Sequence, residues 1–194
     1  MTHVLVAITG ASGALYGVRL VQRLLDSGIE TDVILSAAAR RVLAIEHDLP
    51  GDPSEWLAGA DGRRPRFFDN RDLAALPASG SSAADAMLVV PCSMGTAARI
   101  LAGVSTVLVE RAADVMLKER RPLVLVPRET PLSTLHLRNL CALSELGARI
   151  VPAMPAFYFR PRSIEDLLEF VVDRALQAAG LPLPLRHPWE GAPE

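Results

Sequence analysis

No basic block, no paired histidines or cysteines, and no apolar run approaching the roughly 20 residues that cross a bilayer occur in this sequence. Each absence excludes a class. The formal net charge of -2 over 194 residues, with only 5% aromatics, leaves no electrostatic footprint for nucleic acid. The two cysteines, Cys92 and Cys141, lack CxxC spacing and read as free thiols rather than a bridge or a metal site. His3, His47, His136 and His187 are scattered, with no i, i+4 pair and no neighbouring cysteine, so no metal is expected. No GxSxG elbow is present. The first residues are strand-like rather than a basic segment followed by an apolar one, which predicts a soluble cytoplasmic protein whose partners are small molecules and other subunits.

Half of the chain is apolar, and its length suits one substantial core. Short apolar runs alternate with segments of helical period, the pattern of a parallel sheet covered by helices on both faces. Strands are expected at Val4–Thr9, Asp32–Leu35, Ala86–Val90, Leu123–Val126 and near Ile150. Helices are expected around Val18–Leu25 with a stop at Ser27-Gly28, and at Ala37–Glu46, Ser133–Leu146 and Ser163–Ala178, with another ending over Met116–Arg121. Pro50–Arg66, punctuated by proline and glycine, reads as a loop or lid. Residues 1–181 are expected to form one domain, followed by a proline-rich tail over 182–194.

Three stretches carry chemistry. The first is GASGALYG, directly after the apolar run VLVAIT. A dinucleotide fingerprint would need G-x-G-x-x-G and an acid at the end of the second strand. Here the glycines are Gly10, Gly13 and Gly17, and the second strand ends in Ser36. What remains is a tight turn at a helix N-terminus, suited to a phosphate or another anion. Ser12 is either a ligand there or a plain helix cap, and the glycines either cradle a ligand or only let helix and strand pack closely. The second is PCSMGT, Pro91–Thr96, which brings small hydroxylic residues to the carboxyl end of another strand, where open α/β sheets bind ligands. With Ser36, three strand ends are lined by small polar groups that would admit a flat hydrogen-bonding ring; three ordinary turns would look the same.

The third stretch runs from Glu110 to Pro131, ERAADVMLKERRPLVLVPRETP, a charged helix feeding a buried strand that ends in Arg128-Glu129. Arg111 and Lys118 are seven residues apart and can share a helix face, offering cations to phosphate oxygens. Arg120 and Arg121 read as a solvated face, whereas Arg128 closes an apolar strand and is the better candidate. Tyr158 in AFYFRP and Arg174 in an otherwise apolar helix are each more often structural than functional when taken singly. Cys92 reads as a small core residue beside the second turn.

Taken together, GASG, the Ser36 strand end, PASGS, PCSMGT, the long Glu110–Pro131 stretch, HLRNL and PAFY resemble, in this order, the UbiX-type flavin prenyltransferases, historically labelled aromatic acid decarboxylases. The resemblance runs from about Val4 to Leu181. It implies a flavodoxin-like, Rossmann-like three-layer α/β fold with a mainly parallel sheet. It implies an enzyme that joins a dimethylallyl group from dimethylallyl monophosphate to N5 and C6 of reduced FMN without a metal, making prenylated FMN for a UbiD-type decarboxylase. By motif, Gly10, Ala11, Ser12, Ser36, Ser93, Met94, Gly95 and Thr96 would hold FMN, with Arg128 reaching it from a neighbouring subunit. Lys118, Arg128, Glu129, Tyr158 and Arg174 would surround the prenyl phosphate. Ser12 and Glu46 would handle protons, with Lys118 and Glu129 joining them as catalytic residues. Ala37 stands where many relatives carry lysine, and Trp189 where a tail aromatic is common. A homo-oligomer with sites between subunits, commonly a dodecamer, is implied as well.

Two other readings compete. FMN-dependent cysteine-type decarboxylases share the architecture but carry a PASANT-like stretch, a catalytic histidine and a PxMNxxMW-like stretch, where this chain has PCSMGT and VPAMPAFYF. A non-catalytic flavin carrier would bind FMN and leave its mass unchanged.

Overall fold

The computed structural model of the chain describes residues 3–49, 52–189 and 191. Pro50 and Gly51, the start of the expected loop, lie outside them, as do Glu190 and residues 192–194 of the expected tail. The strands β1 (His3–Ile8), β2 (Glu30–Leu35), β3 (Arg66–Asp69), β4 (Ala86–Cys92), β5 (Leu123–Pro127) and β6 (Arg149–Ile150) form one sheet in the order β3-β2-β1-β4-β5-β6. Every pairing is parallel. The order reverses beside β1, so the crevice at the carboxyl ends of β1 and β4 is the topological switch point of the sheet.

Among the described residues, seven helices cover the sheet: α1 (Leu15–Asp26), α2 (Ala37–His47), α3 (Pro53–Trp56), α4 (Met94–Leu101), α5 (Leu108–Lys118), α6 (Thr134–Glu145) and α7 (Ile164–Ala178). Strand side chains alternate between faces and so build two cores. Val4, Val6, Ile8, Leu88, Val90, Val124 and Val126 pack with α1 and α7, while Leu5, Ala7, Met87, Val89, Leu123 and Leu125 pack with α4, α5 and α6. Leu88 is fully buried, so Leu88→Ala would cost about 2–5 kcal/mol through lost contacts and the cavity left behind.

Local signals set the boundaries. Ser27-Gly28 ends α1 as expected: Gly28 takes φ +73°, and the Ile29 N–H returns to the Leu24 carbonyl at 3.1 Å. Helix α2 stops where Asp48 turns left-handed. Three elements correct the sequence expectation. Strand β3 follows the segment read as loop; its four residues, RFFD, are too few to show a period. Within that segment Asp52 caps the short α3 by accepting the Ser54 N–H. Helix α4 emerges from PCSMGT itself, because Met94, Ala97 and Ile100 make a buried face that the turn-like composition conceals.

Candidate active site

The glycine loop begins at the end of β1, where buried Thr9 joins two strands. Its hydroxyl donates to the Pro91 carbonyl at 2.7 Å and accepts the Ser93 N–H at 2.8 Å, fixing the end of β4 against that of β1. Thr9 was not among the candidates, although a hydroxyl ending an apolar strand was the available signal. Gly10 runs against α2, where a Cβ would meet that of Ala38 at 2.3 Å. Gly13 takes φ +88°, which a side chain would strain.

Two of the open alternatives now separate. Helix α1 has Ala14 as its N-cap, with no side-chain cap bond, so Ser12 is not the cap. Gly17 is a packing residue: a Cβ there would lie 2.2 Å from the Val90 carbonyl oxygen. Ser12 instead meets Glu46, which projects from α2 and accepts both the Ser12 hydroxyl and the Gly13 N–H, the latter at 2.9 Å. Burial pushes the Glu46 carboxyl up. The hydrogen bonds from Ser12 and Gly13 and the nearby His47 and Arg128 outweigh it and hold the group below its ordinary value. At neutral pH it is a carboxylate placed to polarise the Ser12 hydroxyl.

Arg128, just past β5, donates from Nε to the Ser12 carbonyl at 2.9 Å. Within one chain the guanidinium thus reaches the glycine loop. Ser36 and Ser93 complete the rim at the ends of β2 and β4. Ser36 caps α2 by accepting the Ala39 N–H at 3.0 Å, and Ser93 caps α4 by accepting the Thr96 N–H at 3.3 Å. Each cap uses an oxygen lone pair. The Ser36 hydroxyl hydrogen remains to donate, whereas the Ser93 and Thr96 hydroxyls share a bond at 2.9 Å. Met94 is buried in the core, so it offers the rim only its backbone, next to exposed Gly95. Burial pushes the Cys92 thiol up to about 12, which fits a core residue and not a nucleophile.

The phosphate candidates form separate groups. Tyr158 and Arg174 meet around Phe170: Tyr158 stands edge-on to that ring at 5.9 Å, and Arg174 lines with it a cavity of about 360 Å³ walled by Ile150, Val151 and Met154. Mostly apolar walls with the Arg174 guanidinium and the Gln177 carboxamide suit a small ester of an apolar alcohol with phosphate. Glu129 follows Arg128 and accepts the Thr130 N–H at 3.1 Å. Lys118 lies elsewhere. It ends α5 beside Glu119 and Gly80, while Arg121 binds the Ala83 and Ala84 carbonyls just before β4. Lys118 therefore sits toward the amino ends of the strands, away from the Ser12 loop of its own chain. Arg121 is thus no solvated charge, which corrects the expectation for it. Arg111 faces the same segment, donating from Nε to the Ala78 carbonyl at 3.1 Å.

Among the described residues, His3, Glu30 and Asp32 form a cluster of metal-ligand types at the amino ends of β1 and β2. Arg66 already holds Asp32 there with two bonds, at 2.9 and 2.8 Å.

A family profile described as Flavoprotein matches residues 1–176. The flavin prenyltransferase UbiX of Pseudomonas aeruginosa is 48% identical over 195 residues, covering 96% of this chain and 93% of that protein. The crystal structure of AnUbiX (PadA1) in complex with FMN and dimethylallyl pyrophosphate superposes with a TM-score of 0.92 at 42% identity, over 99% of both chains. A dodecameric FMN-dependent UbiX-like decarboxylase from Escherichia coli O157:H7 gives a TM-score of 0.89 at 43% identity, over 98% of this chain and 100% of that one. A PPC decarboxylase mutant complexed with pantothenoylaminoethenethiol shares only the fold, with a TM-score of 0.60 at 16% identity over 79% of this chain and 83% of that one.

Proposed function

The chain belongs to the flavoprotein family and, within it, to the UbiX-type flavin prenyltransferases, and from that premise we propose that it joins the dimethylallyl group of dimethylallyl monophosphate to N5 and C6 of reduced FMN. The observation that carries this reading is the likeness, over 99% of the chain, to a structure holding both FMN and dimethylallyl pyrophosphate. The cysteine-type decarboxylase reading rests on the fold alone and is not favoured.

The residues at the switch point fit FMN by their chemistry. Gly10, Ala11 and Ser12 present a backbone turn, Ser36, Ser93 and Thr96 present hydroxyls, and Arg128 adds a guanidinium held at the loop. When bound, reduced FMN supplies nucleophilic positions at N5 and C6. The chain's own residues do the rest. Arg174 and Tyr158 bind the donor phosphate, and the apolar wall of the cavity that Arg174 lines keeps water from the allylic carbon. Arg128 and Lys118 stabilise the phosphate as its bond to carbon breaks, so no metal is needed. The Ser12–Glu46 pair holds a proton in transit at the Ser12 hydroxyl.

Lys118 lies toward the amino ends of the strands of its own sheet and serves the site of a neighbouring copy. This supports a homo-oligomer, a dodecamer like the E. coli relative, with shared sites. The product is destined for a UbiD-type decarboxylase. Among the described residues no helix is long and apolar enough to cross a membrane. We place the protein in the cytoplasm, as one domain over 1–181 with a tail over 182–194. Phosphate release tests the reading: anaerobic protein should liberate phosphate from dimethylallyl monophosphate only when reduced FMN is present. Release that ignores the flavin would contradict it.

A further inference from the structure

Helix α7 carries two neighbouring stripes. Glu169 and Asp173 are four residues apart and so lie on one face; Phe170 and Arg174, four apart in turn, lie beside them. The second stripe faces the donor cavity, and the first holds the C-terminal tail. Asp173, only 5% exposed, accepts the Arg186 N–H at 2.5 Å, and Glu169 pairs with the Arg186 guanidinium. Upstream, Arg23 of α1 donates to the Pro184 carbonyl at 3.0 Å. The tail is thus clamped at two points.

Past the clamp it reaches Tyr158. The His187 ring stacks on Phe159 with centroids 4.2 Å apart, Trp189 meets the Tyr158 ring edge-on at 5.1 Å, and the His187 carbonyl accepts the Tyr158 hydroxyl at 2.9 Å. Phe170 closes the cluster from α7. The Tyr158 ring is therefore packed on several sides while its hydroxyl is spent on the tail. A phenol has one proton to donate, so it cannot serve the His187 carbonyl and a phosphate oxygen together.

We infer that residues 182–189 are a strap that orients Tyr158 for the donor phosphate, with Arg186 as its latch, and that donor binding moves the Tyr158 hydroxyl from the His187 carbonyl to the phosphate. The inference rests on the reading of Tyr158 and Arg174 as donor ligands. Arg186 is a positioning residue: it acts through the strap on Tyr158 and leaves the flavin loop alone.

The test uses flavin-loaded protein carrying Trp56→Phe, which leaves Trp189 as the one tryptophan of the two in the chain. Adding dimethylallyl monophosphate should change Trp189 emission with a midpoint near the donor KM. Arg186→Ala should raise that KM about 10-fold, the scale of one charge-assisted contact, remove the emission response, and leave the FMN Kd and the kcat at saturating donor within about 2-fold. Arg186→Lys, which keeps a cation for Glu169, should recover most of the effect. An unchanged donor KM in Arg186→Ala, or FMN affinity lost in parallel, would overturn the latch. Tyr158→Phe separates the two levels: if it prenylates with an unaltered donor KM, the underlying assignment of Tyr158 fails, and the strap with it.

Discussion

Arg128 donates to the carbonyl of Ser12 at 2.9 Å, although the two residues are 116 apart in the chain. Strand β4 lies between the strands that carry them, so the guanidinium bridges the crevice at the switch point. The glycine loop is therefore held from α2 by Glu46 and from β5 by Arg128.

Removing the second hold should loosen the loop. Arg128→Ala is expected to weaken FMN binding about 10-fold, the scale of one hydrogen bond from a charged donor. Arg128→Lys should recover little, because a lysine cannot offer the Nε of a planar fork. Fluorescence titration of FMN checks this, and an unchanged Kd would contradict it.

Glu46→Gln separates holding from proton handling. Glutamine still accepts the Gly13 N–H but carries no charge, so FMN affinity should stay within about 3-fold while kcat falls about 100-fold. The Glu46 carboxyl is held below its ordinary 4.5. Its ionised form is complete at neutral pH, and activity that depends on it should fall only as pH drops below that value. A pH–rate profile whose acidic limb lay near pH 7 and vanished in Glu46→Gln would contradict the assignment.

Lys118→Ala should lower prenylation about 100-fold and leave FMN binding intact, since Lys118 is remote from the Ser12 loop of its own chain. Oligomers assembled from a mixture of Lys118→Ala and Glu46→Gln subunits should regain activity above either variant alone. Absence of complementation in mixed oligomers shown to form would place Lys118 outside the site.

A last prediction concerns the support beneath the rim. Glu110 is 1% exposed and receives Arg99, the Thr106 N–H and hydroxyl at 2.9 and 2.7 Å, and the Val107 N–H at 3.2 Å. Burial raises its carboxyl, but these bonds prevail and hold it below 4.5. The folded state binds this proton less readily than the unfolded chain, so the stabilisation is full above about pH 4.5 and is lost as pH falls through the folded value. Glu110→Gln should cost about 2–4 kcal/mol at pH 7 and progressively less in acid, as read by urea unfolding at several pH values.

The sequence made the sheet legible because β1, β4 and β5 are apolar on both faces, β2 ends in the apolar run Val33–Leu35, and clear stops stand at Gly28 and Pro122. It hid β3, whose four residues lie at the edge, and α4, whose first turn is also the rim of the crevice. Glu46 shows the limit for the site. Its charge could be noticed in the sequence, but its bond to Gly13 spans 33 residues and depends on α2 packing beside the loop. Lys118 shows the converse: a motif can name a residue without saying which copy of the chain it serves.

The most direct measurement is the mass of the bound flavin after anaerobic incubation of the purified protein with reduced FMN and dimethylallyl monophosphate, beside a parallel sample given the pyrophosphate. A gain of one five-carbon prenyl unit with the monophosphate is the predicted result. Unmodified FMN on folded, flavin-loaded protein, with both donors intact, would contradict the transferase and favour a flavin carrier or a decarboxylase.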